Sequence, residues 1–340
     1  MGKSGKKQQQ TRASLSSSSQ MTKANINAKP KGKMAMAQAA QKSQKAGFAF
    51  NTGVGQHILK NPQVVESMIQ KSGLKSTDVA LEIGPGTGNL TVKILEKCKR
   101  MTAFELDPRM HSELTKRVDD LGMRHKIDIQ LGNVLDVKQL PYFDICIANL
   151  PYQISSEITF KLLQHRPAFR CAVLMFQLEF VDRLCAKPGD THYCRLSVNT
   201  QLIAKCDKIM NVKKNNFRPP PKVESAVVRI EPIYPPPPIN MVEWDGLTRI
   251  CFGRKNKTIA ANFKTKPVIA MLENNYKVFL SKTNQASKIP DMKLKVEQIL
   301  GQQYNEDDTY GTLRARKMTQ DDFLKLMLAF KPGFRKNLKK

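Results

Sequence analysis

The chain has few acidic residues for its size. Its 340 residues include 56 Lys and Arg against 29 Asp and Glu, so the formal net charge is +27 and the isoelectric point lies near 9.9. An excess of this size indicates a polyanionic partner, because a protein that neutralises phosphates releases their counterions. Composition alone leaves two partners open, a nucleic acid and an anionic membrane surface.

The sequence also lacks long apolar runs and paired cysteines. It has no stretch of about eighteen apolar residues, which argues against a membrane span. The N-terminus has no secretory core, and Lys6 stands where a myristoylation signal requires Ser or Thr. The seven cysteines form no Cys-x-x-Cys pair. We therefore expect reduced, mostly buried thiols in an intracellular protein, and no metal site.

Composition divides the chain into four segments. Residues 1–45 contain ten Lys or Arg and no acid, so we expect a disordered basic tail. This tail fits a solubilising segment and a nucleic-acid arm or nuclear address equally, and a mitochondrial presequence less well because it is rich in Lys. Residues 46–232 are the expected catalytic domain and 233–240 a proline-rich linker. Residues 241–340 are expected to form a helical RNA-binding domain with a basic C-terminus.

Strand and helix patterns alternate through the predicted catalytic domain. The predicted strands are short apolar runs: Val79–Ile83, Met101–Leu106, Ile127–Leu131, Phe143–Ala148 and Cys171–Phe176. Near-continuous apolar strands separated by helices indicate an α/β fold with a buried parallel sheet. Leu196–Ile203 and Ser225–Ile230 are also predicted as strands with no helix between them, so a closing hairpin with one antiparallel strand is expected.

A glycine loop follows the first of these strands. Gly84, Gly86 and Gly88 allow a tight turn and a close approach of the backbone to a ligand. Glu105 ends the next strand, where a carboxylate can accept hydrogen bonds from both hydroxyls of a ribose. The loop alone could be a simple tight turn. With Glu105 in register we favour an adenosine-containing cofactor over NAD. We expect the Asn133 side chain to meet the adenine edge of this cofactor, and Leu106 to belong to its binding site.

The tetrapeptide Asn149-Leu150-Pro151-Tyr152 follows the strand Phe143–Ala148. The Asn149 side-chain oxygen and the Leu150 carbonyl can accept hydrogen bonds from an exocyclic amine, and Pro151 fixes the backbone between them. Tyr152 offers an aromatic face to a flat base. Alone, the tetrapeptide is also compatible with an ordinary turn at a strand end. After a glycine loop it predicts methylation of an amino group on a nucleobase.

Five motifs in order give the sequence its resemblance to a known family. The motifs are Asn51–Asn61, the glycine loop, Glu105–Pro108, Asn149–Tyr152 and Asn216–Ser225, and Arg254–Lys257 adds to them. They resemble those of the small-subunit ribosomal RNA adenine dimethyltransferases, especially the eukaryotic nucleolar branch. The resemblance implies a class I methyltransferase fold, Rossmann-like with a mostly parallel seven-stranded sheet, that uses S-adenosylmethionine. A small helical domain is expected to follow it.

The resemblance also implies an activity and a set of site residues. The activity is N6,N6-dimethylation of two adjacent adenosines near the 3′ end of small-subunit (18S) rRNA during ribosome biogenesis. The implied roles are cofactor binding by His57, Leu59, the glycine loop and Asn149, with Glu105 on the ribose. Asn149–Tyr152 are implied to hold the target amine, and Phe217 to stack on the other face of the base. The expected RNA contacts are Arg218, Lys222, Arg254, Lys255 and Lys257.

Two residues depart from the family pattern. The family usually has Asp where this chain has Asn133, so weaker cofactor binding is expected. Leu178 replaces an Arg that often follows Phe-Gln, which removes one candidate RNA contact. Neither departure affects the tetrapeptide.

The expected partners and location follow from the resemblance together with the Lys-rich tail and the lack of apolar runs and paired cysteines. We expect a monomer outside the pre-ribosomal particle, without membrane or metal, located in the nucleus and nucleolus. Two alternatives remain open. One is a pre-ribosomal RNA-binding assembly factor whose methylation is dispensable, and the other is a mitochondrial rRNA methylase or transcription factor of the same superfamily.

Overall fold

A computed structural model of the protein describes residues 57–282 and 290–330. The predicted basic tail, residues 46–56 and the basic C-terminus lie outside these ranges. The strands of the described residues, in chain order, are β1 Ile58–Leu59, β2 Val79–Ile83, β3 Arg100–Glu105, β4 Ile127–Leu131, β5 Ile145–Asn149, β6 Cys171–Gln177, β7 Ala204–Val212, β8 Phe217–Arg218 and β9 Ser225–Pro232.

Seven of these strands form one sheet in the order β4-β3-β2-β5-β6-β9-β7. Strands β2 to β6 pair in parallel, whereas β9 runs antiparallel to both β6 and β7. The mostly parallel seven-stranded α/β sheet is therefore confirmed. The strand order reverses between β2 and β5, which is where open α/β sheets bind ligands at the carboxyl ends of their strands. A separate two-stranded antiparallel pair joins β1 to β8.

Helices cover the sheet and continue beyond it. The helices of the described residues are α1 Pro62–Ser72, α2 Asn89–Lys97, α3 Pro108–Asp120, α4 Ser155–Gln164, α5 Leu178–Cys185, α6 Arg195–Gln201, α7 Met241–Phe252, α8 Ile259–Phe263, α9 Lys266–Lys282, α10 Met292–Leu300 and α11 Gln320–Phe330. Two apolar clusters fill the two faces of the sheet. This double coverage explains why the parallel strands are almost continuously apolar.

The predicted strand at Leu196–Ile203 is wrong, because Arg195–Gln201 forms α6. Its alternation of apolar and polar residues resembles a strand, but the polar side chains are buried and paired. Ser197 Oγ donates to the Arg183 carbonyl at 2.5 Å, and Asn199 Oδ1 accepts from Trp244 Nε1 at 3.1 Å. The expected hairpin exists with β7 as the first arm, and helix α5 was not predicted.

A third apolar cluster joins residues that precede the segment 233–240 to residues that follow it. This segment contains neither helix nor strand. Ala186, Tyr193 and Val198 pack in this cluster with Trp244 and Phe323. Tyr193 Oη also donates to the Met318 carbonyl at 2.8 Å. The helices after residue 240 therefore share a core with the loop and helix that follow α5.

The structure also bears on membranes, metals and thiols. No helix of the described residues is long and apolar enough to cross a membrane. Residues 57–282 and 290–330 contain no group of three His, Cys, Asp or Glu side chains that could hold a metal ion. All seven cysteines are free thiols, and four of them are buried. Burial raises the pKa of Cys98 to about 11, so this thiol stays protonated at neutral pH.

Two glycines provide a matched test of the packing behind the glycine loop. Gly88 has φ +82°, and a Cβ there would lie 2.6 Å from Leu114 Cδ1. We expect Gly88→Ala to lower the free energy of unfolding by about 1–3 kcal/mol through backbone strain and crowding. Gly246 lies within α7, and nothing lies within 4 Å of the position a Cβ would take. Gly246→Ala should therefore raise the free energy of unfolding by about 0.5–1 kcal/mol. Urea unfolding of both variants measures these changes, and equal effects would contradict the packing described.

Candidate active site

A cleft opens where the ends of β2, β3 and β5 meet β1. The space between its walls is about 780 Å³, which includes space open to solvent. Its lining residues are His57, Ile58, Leu59, Glu82, Gly84, Pro85, Gly86, Thr87, Asn89, Leu90, Glu105, Met110, Asn149, Leu150, Pro151 and Tyr152. The structure thus brings together four parts that are far apart in the sequence: the glycine loop, Glu105, the tetrapeptide and the segment around β1.

The glycine loop and the tetrapeptide lie against each other. Gly84 and Gly86 have φ of +67° and +57°, a left-handed conformation that side chains rarely adopt. A Cβ built on Gly84 would lie 3.6 Å from Pro151 Cδ and 3.9 Å from the Asn149 carbonyl oxygen. Glycine therefore keeps the loop backbone open towards the cleft beside Asn149.

Glu105 holds the loop from the neighbouring strand. Its Oε2 accepts from the Gly86 amide at 2.9 Å, and its Oε1 accepts from the Asp107 amide at 2.9 Å. Burial raises the pKa of Glu105, while these backbone hydrogen bonds act in the opposite direction. The carboxylate is thus fixed in the cleft wall, with lone pairs that can also accept from a ligand.

Glu82 is the second carboxyl group in the cleft wall. It is 1% exposed, and its Oε2 accepts from Thr91 Oγ1 at 2.6 Å. Burial is the main cause that raises its pKa to about 8; the Thr91 bond acts in the opposite direction, and the nearby Glu105 charge adds to the rise. Keeping a carboxyl group buried in this way costs stability, so its position in a ligand cleft suggests that a bound cation offsets the cost.

Glu82 gives a prediction about proton release. Since its raised pKa of about 8 leaves it protonated at pH 6.5, a cationic ligand that favours the carboxylate should displace about one proton there. The affinity for S-adenosylmethionine should consequently fall as pH decreases from 7 to 6, by up to roughly tenfold. Calorimetry in two buffers of different ionisation enthalpy measures the proton release. Glu82→Gln should abolish it, and a wild-type heat that is independent of buffer would contradict the role.

The tetrapeptide is held from both sides. Asn149 Nδ2 donates to the His57 carbonyl at 3.1 Å, which fixes the amide orientation so that Oδ1 is the atom left for another donor. Pro151 has φ −59° and ψ 131°. Tyr152 Oη and Ser225 Oγ are hydrogen bonded at 2.8 Å, and burial raises the pKa of this phenol. The Tyr152 ring lies stacked against the His57 ring, with centroids 6.0 Å apart.

The predicted residues His57 and Leu59 belong to a strap over the cleft. We define the strap as residues 57–61, which include β1. His57 Nδ1 lies 2.9 Å from the Pro219 carbonyl, and the Lys60 amide donates to the Asn216 carbonyl at 2.9 Å. The strap is therefore anchored to the β8 region on one side and to the cleft on the other.

Some predicted residues do not line the cleft. Phe217 is 1% exposed because its β8 pairing with Leu59 turns both side chains into the core, so its ring presents no open face for stacking. Leu106 is 57% exposed beside the cleft, and Gly88 caps the start of α2. Asn133 follows β4 and accepts from the Leu135 amide through Oδ1 at 3.0 Å.

The hydrogen bond between Asn133 and Leu135 leads to a prediction about the affinity for the cofactor. Oδ1 already accepts from the Leu135 amide and Nδ2 is a donor, so an adenine amine would have to share the single acceptor atom of the carboxamide. An aspartate could satisfy Leu135 with one oxygen and accept with the other. Asn133→Asp should therefore tighten S-adenosylmethionine binding by about tenfold, the scale of one hydrogen bond to a charged group. Calorimetry checks this, and unchanged or weaker binding would place the adenine elsewhere.

The predicted RNA-binding residues fall into two groups. Arg218 is exposed on β8 and Lys222 is exposed in the loop before β9. In contrast, Arg254 donates to the Ala261 carbonyl, and Lys255 Nζ donates to the Thr191 carbonyl at 2.9 Å. These two cations hold the protein's own backbone. Lys257 is exposed in the turn before α8.

Sequence reasoning missed three residues around the cleft. Glu82 precedes the glycines, but its place in the sequence indicated no role. Its burial in the cleft wall is what marks it as a candidate ligand-binding residue. Asn89 and Arg117 carried no motif signal. Arg117 NH1 donates to the Thr87 carbonyl at 2.6 Å and to Asn89 Oδ1 at 2.9 Å, contacts that only the folded chain reveals.

The donor set fits S-adenosylmethionine. The cofactor is cationic at its sulfonium and ammonium groups and has two ribose hydroxyls, whereas the cleft presents two carboxyl groups in a protein of net charge +27. Glu105 suits the ribose and Glu82 a cationic group, with apolar wall supplied by Leu90 and Met110. The open loop backbone at Gly84 leaves room for a ligand that a side chain would fill.

The fold and cleft define a class I S-adenosylmethionine-dependent methyltransferase. A crystal structure of the 23S rRNA methyltransferase ErmE shares this fold, with TM-score 0.56, 21% identity and coverage of 80% of this chain and 98% of that one. The family model for ribosomal RNA adenine dimethylase matches residues 47–300, and the chain belongs to this family. It is accordingly an S-adenosylmethionine-dependent rRNA adenine methyltransferase.

Individual relatives agree with this assignment. A probable dimethyladenosine transferase of Drosophila melanogaster is 57% identical over 289 residues, which cover 84% of this chain and 92% of the relative. The crystal structure of a dimethyladenosine transferase from Plasmodium falciparum superposes with TM-score 0.73 at 42% identity. That match covers 81% of this chain and 97% of the other.

Proposed function

We propose that the protein dimethylates N6 of two adjacent adenosines near the 3′ end of small-subunit (18S) rRNA during ribosome biogenesis. The observation that supports this most is the tetrapeptide, whose Asn149 amide is fixed by His57 beside the cofactor cleft. The names of the relatives support dimethylation of adenosine. The nucleotides themselves are inferred from the motif resemblance.

The tetrapeptide suits a weak nucleophile. The lone pair of adenine N6 is delocalised into the ring, so the amine must be positioned and its geometry changed before it can attack. Asn149 Oδ1 and the Leu150 carbonyl accept from its two N–H groups and turn the lone pair towards the cleft. When bound in the cleft, S-adenosylmethionine would supply the electrophilic methyl group and, on loss of its S–CH3 bond, would leave as the neutral thioether S-adenosylhomocysteine. After attack, the surplus proton of the amine leaves to water.

The target base has to leave its stack to reach these acceptors. Tyr152 provides an aromatic face at the cleft, and its bond to Ser225 keeps the ring in place. Unstacking costs a few kcal/mol and is cheapest in single-stranded RNA. An unpaired or locally opened segment of rRNA is therefore the proposed substrate, with exposed Arg218 and Lys222 as phosphate contacts.

We further propose that the protein is a monomer outside the pre-ribosomal particle, acts on this particle in the nucleolus and also has a role in assembly. The net charge of +27 supports binding to rRNA. The acid-free, Lys-rich segment 1–45 supports a nuclear address over a mitochondrial one.

Replacement of the cellular protein tests both proposals. Cells that depend on wild type or on Asn149→Ala are compared by primer extension across the 3′ end of small-subunit rRNA, where dimethylated adenosines stop the polymerase. We expect two adjacent stops with wild type and none with the variant. Stops absent from both strains would contradict the target. Normal subunit maturation in the variant strain would show that the assembly role does not need methylation.

Imaging tests the location. A fluorescent fusion of the full chain is expected in the nucleolus, and removal of residues 1–45 should reduce this signal. Mitochondrial fluorescence of the full-length fusion would contradict the proposal and favour the mitochondrial alternative.

A further inference from the structure

Arg117 is a half-buried cation that the methyl-transfer chemistry does not use. It lies on α3, and its NH1 donates both to the Thr87 carbonyl at 2.6 Å and to Asn89 Oδ1 at 2.9 Å. Its Nε is buried without a hydrogen-bond partner. No carboxylate of the part of the chain that the structure describes forms an ion pair with it. Burial lowers the pKa of Arg117, which shows that its position costs free energy.

Both acceptors of Arg117 belong to the cofactor cleft. Thr87 is in the glycine loop, and Asn89 begins α2; both line the cleft. Because Asn89 Oδ1 accepts from Arg117, its amide orientation is fixed and Nδ2 faces the strap. Asn89 Nδ2 then donates to the Leu59 carbonyl at 2.9 Å.

The strap receives a second side-chain donor from the catalytic side. Asn149 Nδ2 donates to the His57 carbonyl, two residues before the carbonyl that Asn89 bonds. The strap is thus held by one amide from the cofactor half of the cleft and one from the tetrapeptide. A shift of the strap would alter both the cofactor wall and the orientation of Asn149.

We propose that Arg117 is a positioning residue that sets the strap over the cofactor cleft through Asn89. The relay runs from the Arg117 guanidinium to the Asn89 side chain and then to the Leu59 carbonyl. Binding of S-adenosylmethionine and presentation of the Asn149 oxygen both depend on it. This inference rests on the proposed roles of the cleft residues, but not on which adenosines are methylated.

The first test removes the cation. Arg117→Met should raise the dissociation constant for S-adenosylmethionine by about tenfold or more, because a strap and glycine loop without this donor spend less time in the arrangement that binds the ligand. It should also speed hydrogen exchange of the Lys60 amide, which donates to Asn216 across the strap. Arg117→Lys keeps one donor and should restore part of both properties. Arg124→Met is the matched control, because Arg124 donates to the Ile127 carbonyl away from the cleft.

The second test keeps the contact between Arg117 and Asn89 but removes the contact between Asn89 and the Leu59 carbonyl. Asn89→Asp keeps an acceptor for Arg117 and gives it a counterion, so the thermal stability should be at least that of the wild type. The same change places a second acceptor against the Leu59 carbonyl, and the strap should therefore exchange about tenfold faster without cofactor. If the bond between Asn89 and the Leu59 carbonyl did not hold the strap, exchange would be unchanged here.

Each outcome of these two tests either supports or overturns the relay. Faster exchange of the strap in Arg117→Met and Asn89→Asp, with wild-type exchange in Arg124→Met, supports the relay. Wild-type exchange of the strap in Asn89→Asp would overturn it, as would an Arg117→Met protein that binds S-adenosylmethionine within twofold of wild type. None of these readouts requires an rRNA substrate, so failure of the proposed target would leave them unaffected.

Discussion

Asn149→Ala is expected to reduce methyl transfer by roughly 10²–10³, the effect of losing one preorganised polar group at a reacting centre. The structure gives the reason. His57 holds the Asn149 amide through Nδ2, so Oδ1 is directed away from the strap and can accept from the target amine. Alanine removes this acceptor and also frees the strap on the catalytic side. Single-turnover transfer of labelled methyl groups to small-subunit rRNA measures the loss.

The control for this variant is another asparagine. Asn211 is exposed on β7, outside the cleft, and Asn211→Ala should retain wild-type transfer. Binding of S-adenosylmethionine to Asn149→Ala should change much less than the rate. A rate within threefold of wild type would exclude Asn149 from the chemistry, because the tetrapeptide would then lack its side-chain acceptor.

Glu105→Ala is expected to weaken S-adenosylmethionine binding by about 100-fold or more, which corresponds to two hydrogen bonds from ribose hydroxyls to a charged acceptor. The same carboxylate bonds the Gly86 and Asp107 amides, so alanine also loosens the glycine loop. Affinity for rRNA should stay nearly unchanged, since the residue lies in the cofactor cleft. Calorimetry for the cofactor and gel shift for the RNA measure the two affinities separately.

Glu179→Ala provides the comparison, because Glu179 is an acid on α5 outside the cleft. It should bind S-adenosylmethionine like wild type. Thermal unfolding of Glu105→Ala distinguishes a local change from a general folding defect. A folded Glu105→Ala protein with wild-type cofactor affinity would contradict the assigned role.

Much of the fold could be predicted from the sequence because it depends on local patterns. Val79–Ile83 and Ile127–Leu131 are strands with the predicted bounds. Apolar strands of a parallel sheet are distinctive, and glycine, Asn or Pro marks the turns between them. The prediction failed at Arg195–Gln201, where buried polar side chains paired with Arg183 and Trp244 imitate the alternation of a strand.

The site was predictable where a motif is continuous in sequence. The glycine loop, Glu105 and the tetrapeptide do meet in one cleft. Three-dimensional contacts decided the rest. The burial of Phe217, the bond between Asn133 and Leu135, and the donors of Arg117 all depend on which strand or helix lies alongside. Residue type and spacing give no information on these contacts.

The most direct test of the account is methylation by the purified protein. Immature small subunits are incubated with the full chain and S-adenosylmethionine bearing a deuterated methyl group, and the digested rRNA is analysed by nucleoside mass spectrometry. We expect N6,N6-dimethyladenosine with two labelled methyl groups from wild type, and essentially none from Asn149→Ala. Absence of labelled product from a wild-type protein that binds both the subunit and the cofactor would contradict the claim that this cleft methylates rRNA adenine.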